Sequence, residues 1–486
     1  MVNFVLLIKI LLISQSQVVM TGHLLYLLII VLISIPPSAV HLYSPSCLAR
    51  TIYLLSASWA QVGKDANAYA TLTYLETPIT YGSFTGVGNQ YVLGNAYLKP
   101  EIQTAWEVGT ELRFLGGRLG LDYTYYHSQT KNQIASPRLS NANGSIMSSI
   151  NSGSVINNGM EIAITGKPIV TKDFEWNITL NTSYNRGKLG DFLDGVSMFY
   201  PTDAQFGTVK AASVPNGGKF LALVGSRFAY ETTGEDNQEI IGGRYQVDAT
   251  TGLYKIHSST SEVVGNREPK FIGGLNNTFH IKDLTLSFLL DFRIGGDVIN
   301  EMNQYATAVG LTPESLKYRD TEHGGLSYYY PGGNNASGIP VKVDPSTTAG
   351  PNGEVIYHDG VILPGVVAST GEQNTRIIPA GYYYNSTYNW GTEAEQLTYR
   401  HSVFDNSYVK LRELTIGYQF PEKMISKFGL TRLSVSAFGR NLFYFYKALK
   451  NYDAESSTGT SWSSQAMVGG STTATRSFGV SIRASF

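Results

Sequence analysis

From about residue 52 onward, apolar and polar side chains alternate along the chain. Even positions from 174 to 184 read Phe, Trp, Ile, Leu, Thr, Tyr, with Glu, Asn, Thr, Asn and Ser between them. Leu284, Leu286, Phe288, Leu290, Phe292 and Ile294 alternate with Thr285, Ser287, Leu289, Asp291 and Arg293. The end of the chain repeats the pattern through Ala474, Phe478, Val480, Ile482, Ala484 and Phe486. Successive side chains of a strand point to opposite faces, so each segment has one apolar and one polar face. Less regular segments run at 52–63, 104–115, 118–130, 155–168, 270–281, 405–420 and 430–443. The segment 405–420 changes phase: Val409 and Leu411 are odd, whereas Leu414, Ile416, Tyr418 and Phe420 are even. One extra residue near Glu413, a β-bulge, would restore the apolar face. The expectation is about ten strands of about 10–14 residues, long for a soluble sheet and close to the length that crosses a tilted bilayer path.

The links between the strands alternate in length. Gly116-Gly117, Val170 to Lys172, and Lys282-Asp283 are short, whereas 64–103, 131–154, 188–268, 298–404 and 444–473 are long and polar. A transmembrane barrel has short turns at one end and long loops at the other. A soluble sandwich gives no reason for that asymmetry. The fold class expected is therefore all-β, a transmembrane antiparallel β-barrel with an apolar band toward lipid and a polar lumen.

Composition sharpens this reading. Only 15% of the 486 residues are charged, against about 25% in an average soluble protein. The 32 Tyr and 50 Gly, with abundant Ser, Thr and Asn, supply polarity without charge. A formal net charge of −1 argues against nucleic acid as a partner. One cysteine, Cys47, excludes an internal disulfide framework and a thiolate zinc site. The eight His show no metal-ligand spacing, Gly-x-Ser-x-Gly does not occur, and the Gly pairs lie at strand ends. The sequence gives no reason to expect an enzyme or a cofactor.

Residues 1–51 differ in character from 52–486. Phe4 to Ile13 and Leu24 to Ile35 are two apolar runs, each too short to span a bilayer as a helix. The segment is expected to be helical. It reads either as a degraded export signal, because Lys9 interrupts the first run and no basic residue precedes Phe4, or as a stretch unrelated to residues 52–486.

Several stretches together resemble the C-terminal part of the barrel in SusC/RagA-type TonB-dependent outer-membrane transporters. They are Ser56 to Gly63, Leu98-Lys99-Pro100-Glu101 leading to Trp106-Glu107-Val108-Gly109, and Arg118 to Asp122 with Tyr125-Tyr126. Asn157-Asn158-Gly159-Met160-Glu161, Pro269 to Asn277, Gly295-Gly296-Asp297, Tyr408 to Glu413 and Gly439 to Phe443 continue the order. The resemblance covers about 52–486. It implies a location in the outer membrane and about ten strands of a 22-stranded barrel. It further implies import of glycan oligosaccharides or peptides, a SusD-like surface lipoprotein as partner, and contact with outer-membrane lipid. Phe486 resembles the terminal aromatic read by the barrel-assembly machinery. The family places a plug and a TonB box upstream, and neither is seen before residue 52, so TonB is a partner only if that region is supplied. The chain is expected to be a truncated member. A non-transporting remnant, or a small surface-binding barrel or adhesin, stands as the alternative.

Two aromatic clusters lie in the longest loop: Tyr328-Tyr329-Tyr330 and Tyr382-Tyr383-Tyr384, the latter followed by Tyr388 and Trp390. Flat amphipathic rings stack on sugars, and equally they pack loops together or against a partner. These residues are the candidate ligand contacts. Tyr123, Tyr125 and Trp176 read as girdle residues at the membrane interface, and Asp291 and Arg293 as pore lining.

Overall fold

The computed structural model describes residues 25–33, 52–137, 140, 142, 144–192, 198, 200, 205–206, 209–214, 219–233, 238–259, 262–333, 338–389, 399–456, 467–468 and 473–486. Its principal element is one antiparallel sheet of eleven strands whose spatial order follows the chain. The strands are β1 Leu25–Ile33, β2 Ile52–Lys64, β3 Glu101–Phe114, β4 Leu119–Lys131, β5 Gly153–Val170 and β6 Phe174–Phe192. They continue as β7 Pro269–Ile281, β8 Leu284–Gly295, β9 Tyr408–Phe420, β10 Arg432–Lys447 and β11 Ser477–Ser485. The ten segments expected from alternation are β2 to β11.

The helix expected in the N-terminal segment is not what forms at 25–33. There the chain is strand β1, paired antiparallel to β2 from Leu25 opposite Gln61 to Ile33 opposite Tyr53. Four β-branched residues, Ile29, Ile30, Val31 and Ile33, stand in these nine positions and disfavour helix. Pairing also satisfies backbone groups that the edge of β2 would leave open. The remainder of 1–51 lies outside the described residues.

Register carries one apolar face across the sheet. Phe174, Trp176 and Leu180 of β6 stand opposite Ile281, Phe279 and Leu275 of β7. Those three pair in turn with Leu284, Leu286 and Leu290 of β8. Leu284, Leu286 and Phe288 then meet Tyr418, Ile416 and Leu414 of β9. The phase change in β9 is a bulge. Leu289 faces Glu413 and Leu290 faces Leu411, so Arg412 is the extra residue. This keeps Leu411 and Leu414 on one face although their numbers differ in parity.

Aromatic side chains gather at both ends of that face. Phe174, Trp176, Phe279 and Phe288 touch near the short turns. Trp106 packs on Tyr125 and His127, and Tyr184 on Phe271, near the long loops. From Trp176 to Tyr184 is about 26 Å along the strand, or about 20 Å of height at a tilt near 40°, comparable with the ~25 Å apolar band of an outer-membrane barrel.

The opposite face carries Asp122, Thr124, Glu161, Asn181, Ser183 and Asp291, which line a shallow cavity of about 470 Å³. Several of its charges are paired. Arg113 holds Asp122, Arg440 holds Glu413 at 2.9 Å, and Arg412 bridges Asp291 and Glu455. Tyr126 lies across Gly159, where any Cβ would collide with its ring, and its hydroxyl donates to Asn185 Oδ1 at 3.1 Å. This close approach is the physical reason for glycine in Asn157-Asn158-Gly159.

Connections at one end are tight. Gly116 and Gly117 take φ of 67° and 88°, values only glycine adopts freely. Neighbouring turns are tied together, with Lys282 N–H donating to Asp173 O and Gln419 N–H to Asp283 O, each at 2.9 Å. At the other end the long links form their own small sheets: 209–214 with 219–225 and 262–266, and 326–329 with 357–361. Nearly all fully buried apolar side chains lie in these links. Val209, Leu223 and Ile299 form one core, and Val247, Leu253, Val361, Leu363 and Ile378 another. The large sheet instead leaves Leu55, Val108, Ile164, Ile416, Phe478, Val480 and Ile482 exposed. A soluble fold distributes burial the other way.

Candidate binding cleft in the long loops

The two tyrosine clusters meet in space. Tyr328 and Tyr329 lie on the strand Leu326–Tyr329, and Tyr382 to Tyr384 on helix α2, Ala380–Tyr388. Leu326 pairs with Gly360 and Gly360 with Pro379, so one strand of the loop sheet separates the clusters.

Their members play different parts. Tyr328 is 1% exposed, stacks on Tyr357 at 5.5 Å, and donates to Asp359 Oδ1 at 3.1 Å. Tyr384 is 8% exposed and donates to Glu314 O at 2.8 Å and Lys317 O at 3.2 Å. Tyr383 packs on the core around Ile378. Burial pushes the hydroxyl of Tyr384 up to about 12 and raises those of Tyr328 and Tyr383 as well. All three therefore stay neutral and hold loops together. Tyr329 is half-buried beside Val341. Trp390 lies outside the described residues.

Tyr330 and Tyr382 are the pair that reaches open space. They line a cleft of about 250 Å³ together with Thr250, Thr251, Pro340 and Arg376. Thr250 and Thr251 come from the β6–β7 link and the others from the β8–β9 link, so two loops build it. The Thr pair sits on a preorganised turn. Asp248 Oδ1 accepts from Thr250 N–H at 2.9 Å, Thr251 N–H at 2.7 Å and the Thr251 hydroxyl at 3.1 Å. Burial pushes this carboxyl up, but the bonds from Thr251 and Thr250 outweigh it and leave it below the usual range. Gly252 closes the turn at φ 72°, with room for no side chain: a Cβ would lie 2.6 Å from Ile378 Cγ2 and 3.1 Å from Arg376 Cδ. That contact seats the stem of Arg376 against the turn.

Arg376 went unremarked in the sequence, because a lone arginine before Ile-Ile-Pro has no motif around it. Its Nη1 donates to Ala249 O at 3.2 Å, its Nε is buried with no protein acceptor, and no carboxylate pairs with it among the described residues. No group of three or more His, Cys, Asp and Glu able to hold a metal occurs among the described residues. Phe486 follows β11 and is 91% exposed.

An antiparallel meander with an apolar outer face, a polar inner face and its loops on one end defines a β-barrel wall of the outer-membrane class. Comparison with known proteins makes this specific. Residues 50–277 match the family model described as TonB dependent receptor-like, beta-barrel. TonB-dependent receptor P3 of Formosa agariphila is 22% identical over 420 residues, which is 81% of this chain and 35% of that protein. TonB-dependent receptor SusC of Bacteroides thetaiotaomicron is 35% identical over 113 residues, 23% of this chain and 11% of that protein. The solved RagAB peptide transporter superposes with a TM-score of 0.61 at 14% identity, over 95% of this chain and 43% of that one. The chain is thus similar to TonB-dependent receptor β-barrels of SusC/RagA type, a likeness that places it in the outer membrane. It spans about a third to two fifths of the length of P3 and of the RagAB chain.

Proposed function

We propose that this chain supplies barrel wall and loop surface for the import of nutrient oligomers, glycan fragments or peptides, across the outer membrane. Residues 52–486 act as the barrel portion, to which β1 of the N-terminal segment adds one strand at the edge. A SusD-like surface lipoprotein would cover the loop end, TonB would energise import through a plug, and Phe486 would guide assembly. The observation that carries the reading is the division of faces: apolar side chains on one, Asp122, Glu161, Asn181 and Asp291 on the other. Such a wall borders a wet passage, and the cleft of Tyr330 and Tyr382 stands among the loops at one end of it.

Deletion of the coding sequence in the source organism tests this. Growth on one class of glycan or peptide should fail and return on complementation, with the chain in the outer-membrane fraction. Unchanged growth on every oligomeric nutrient, or a soluble product, would overturn the proposal.

A further inference from the structure

Among the cavities, ion-pair clusters and exposed faces, the cleft holding Arg376 combines a cation with no carboxylate partner among the described residues, aromatic walls and a rigid rim. We propose that it binds a carboxylate attached to a ring-sized apolar body. The inference rests on the proposed import function, in which the long loops meet nutrient, and adds the chemistry of what they meet.

Arginine is charged at every physiological pH and presents its donors as a planar fork that matches a carboxylate bidentately. Two other partly buried arginines pair with carboxylates, Arg227 with Glu239 at 2.5 Å and Arg412 with Asp291 and Glu455, whereas Arg293 spends its donors on the carbonyls of Gly295 and Arg267. Arg376 is half-buried and, among the described residues, has the single carbonyl of Ala249 as acceptor and leaves Nε buried without one. Its Nη2 has no acceptor among the described residues, and a carboxylate bonded there and to Nη1 would supply one. Asp248 holds the Thr250–Thr251 turn through its Oδ1 and forms no ion pair with Arg376.

The rest of the cleft fits a ring beside that charge. Tyr330, Tyr382 and Pro340 present flat apolar surfaces, and Thr250 is exposed at the edge. The volume is just below the ~300–1,000 Å³ of drug-sized sites, enough for one acidic sugar ring or one acidic peptide unit. The shared chemistry is the carboxylate; the source distinguishes saccharide from peptide.

Calorimetric titration of the full chain, purified from outer membranes in detergent, decides it. The probes are trigalacturonate, its methyl ester, the peptide Gly-Tyr-Glu, its diester, and maltotriose. One of the two acids should bind at least tenfold tighter than its own ester, and the one that does names the source. Arg376→Met should weaken that binding tenfold or more, with partial recovery in Arg376→Lys, which restores charge but not the fork. Both variants should keep the heat-modifiable gel mobility of the native barrel, so a folding defect is read separately. Esters binding as tightly as acids, wild-type affinity in Arg376→Met, or binding of none of the probes would overturn the inference. Binding of maltotriose alone would overturn it and leave the import reading standing.

Discussion

The indole N–H of Trp176 donates to Asn277 Oδ1 at 3.0 Å, on the apolar face of the sheet. Asn277 is 5% exposed, between Ile178 and Phe288 in the register. An amide facing lipid is tolerated because a girdle residue caps its acceptor. Trp176→Phe should remove the donor and lower barrel stability by about 1–3 kcal/mol, read as a lower urea midpoint of the folded gel band. Adding Asn277→Leu should recover most of that loss. Equal stability of wild type and Trp176→Phe would refute the capping role.

Leu180 lies midway between Trp176 and Tyr184, opposite Ile164 and Leu275. Its neighbour Thr179 takes the other face. Leu180→Lys should cost about 2–4 kcal/mol, and Thr179→Lys close to nothing, because only one of the two ammonium groups meets hydrocarbon. Refolding into vesicles measures both, and equal penalties would mean the faces are misassigned.

Arg412 is the bulged residue of β9 and reaches Asp291 on β8 and Glu455 in the last long loop. Inserting one further residue between Glu413 and Leu414 should turn Thr415, Gly417 and Gln419 toward lipid and abolish the heat-modifiable species, since a one-residue slip exchanges the faces of a strand. Arg412→Met keeps the count and should assemble, with the Glu455 loop cleaved faster by protease. An assembled insertion variant would show that the register of β9 beyond the bulge does not decide assembly.

The loop bearing Glu239 should loosen in acid. Burial pushes this carboxyl up, but Arg227 and the Tyr230 N–H outweigh it and leave it below the ordinary value. Arg227 and His257 face it, with Glu262 beside both. A folded value below the unfolded ~4.3 means the stabilisation is complete above that pH and lost as pH falls through the lower folded value. Protease cleavage within 238–259 should stay slow down to about pH 5 and rise below about pH 4. Glu239→Gln should flatten the profile, and cleavage independent of pH in the native chain would refute the link.

Alternation located β2 to β11 because each strand has one dry and one wet face, and that requirement is written residue by residue. The phase change at Leu411 and Leu414 even announced the bulge, to within one residue of Arg412. The strand at Leu25–Ile33 stayed hidden: a run apolar on both faces has no period, and only the open edge of β2 makes it a strand. The loops were less legible. Tyr328, Tyr330, Tyr382 and Tyr384 look alike in the sequence, yet two are buried props and two line the cleft. Arg376 had no signal, since its distinction is the absence of a carboxylate partner among the described residues.

The sequence by itself determined the strands, their faces, the alternating turns and loops, and the likeness to a transporter barrel. These follow from local geometry, where period two and turn residues suffice. Tertiary structure alone decided that Thr250 on one link and Arg376 on another border the same space. It also decided that the apolar core lies in the loops. Both depend on contacts between residues more than a hundred positions apart, which a linear pattern does not record.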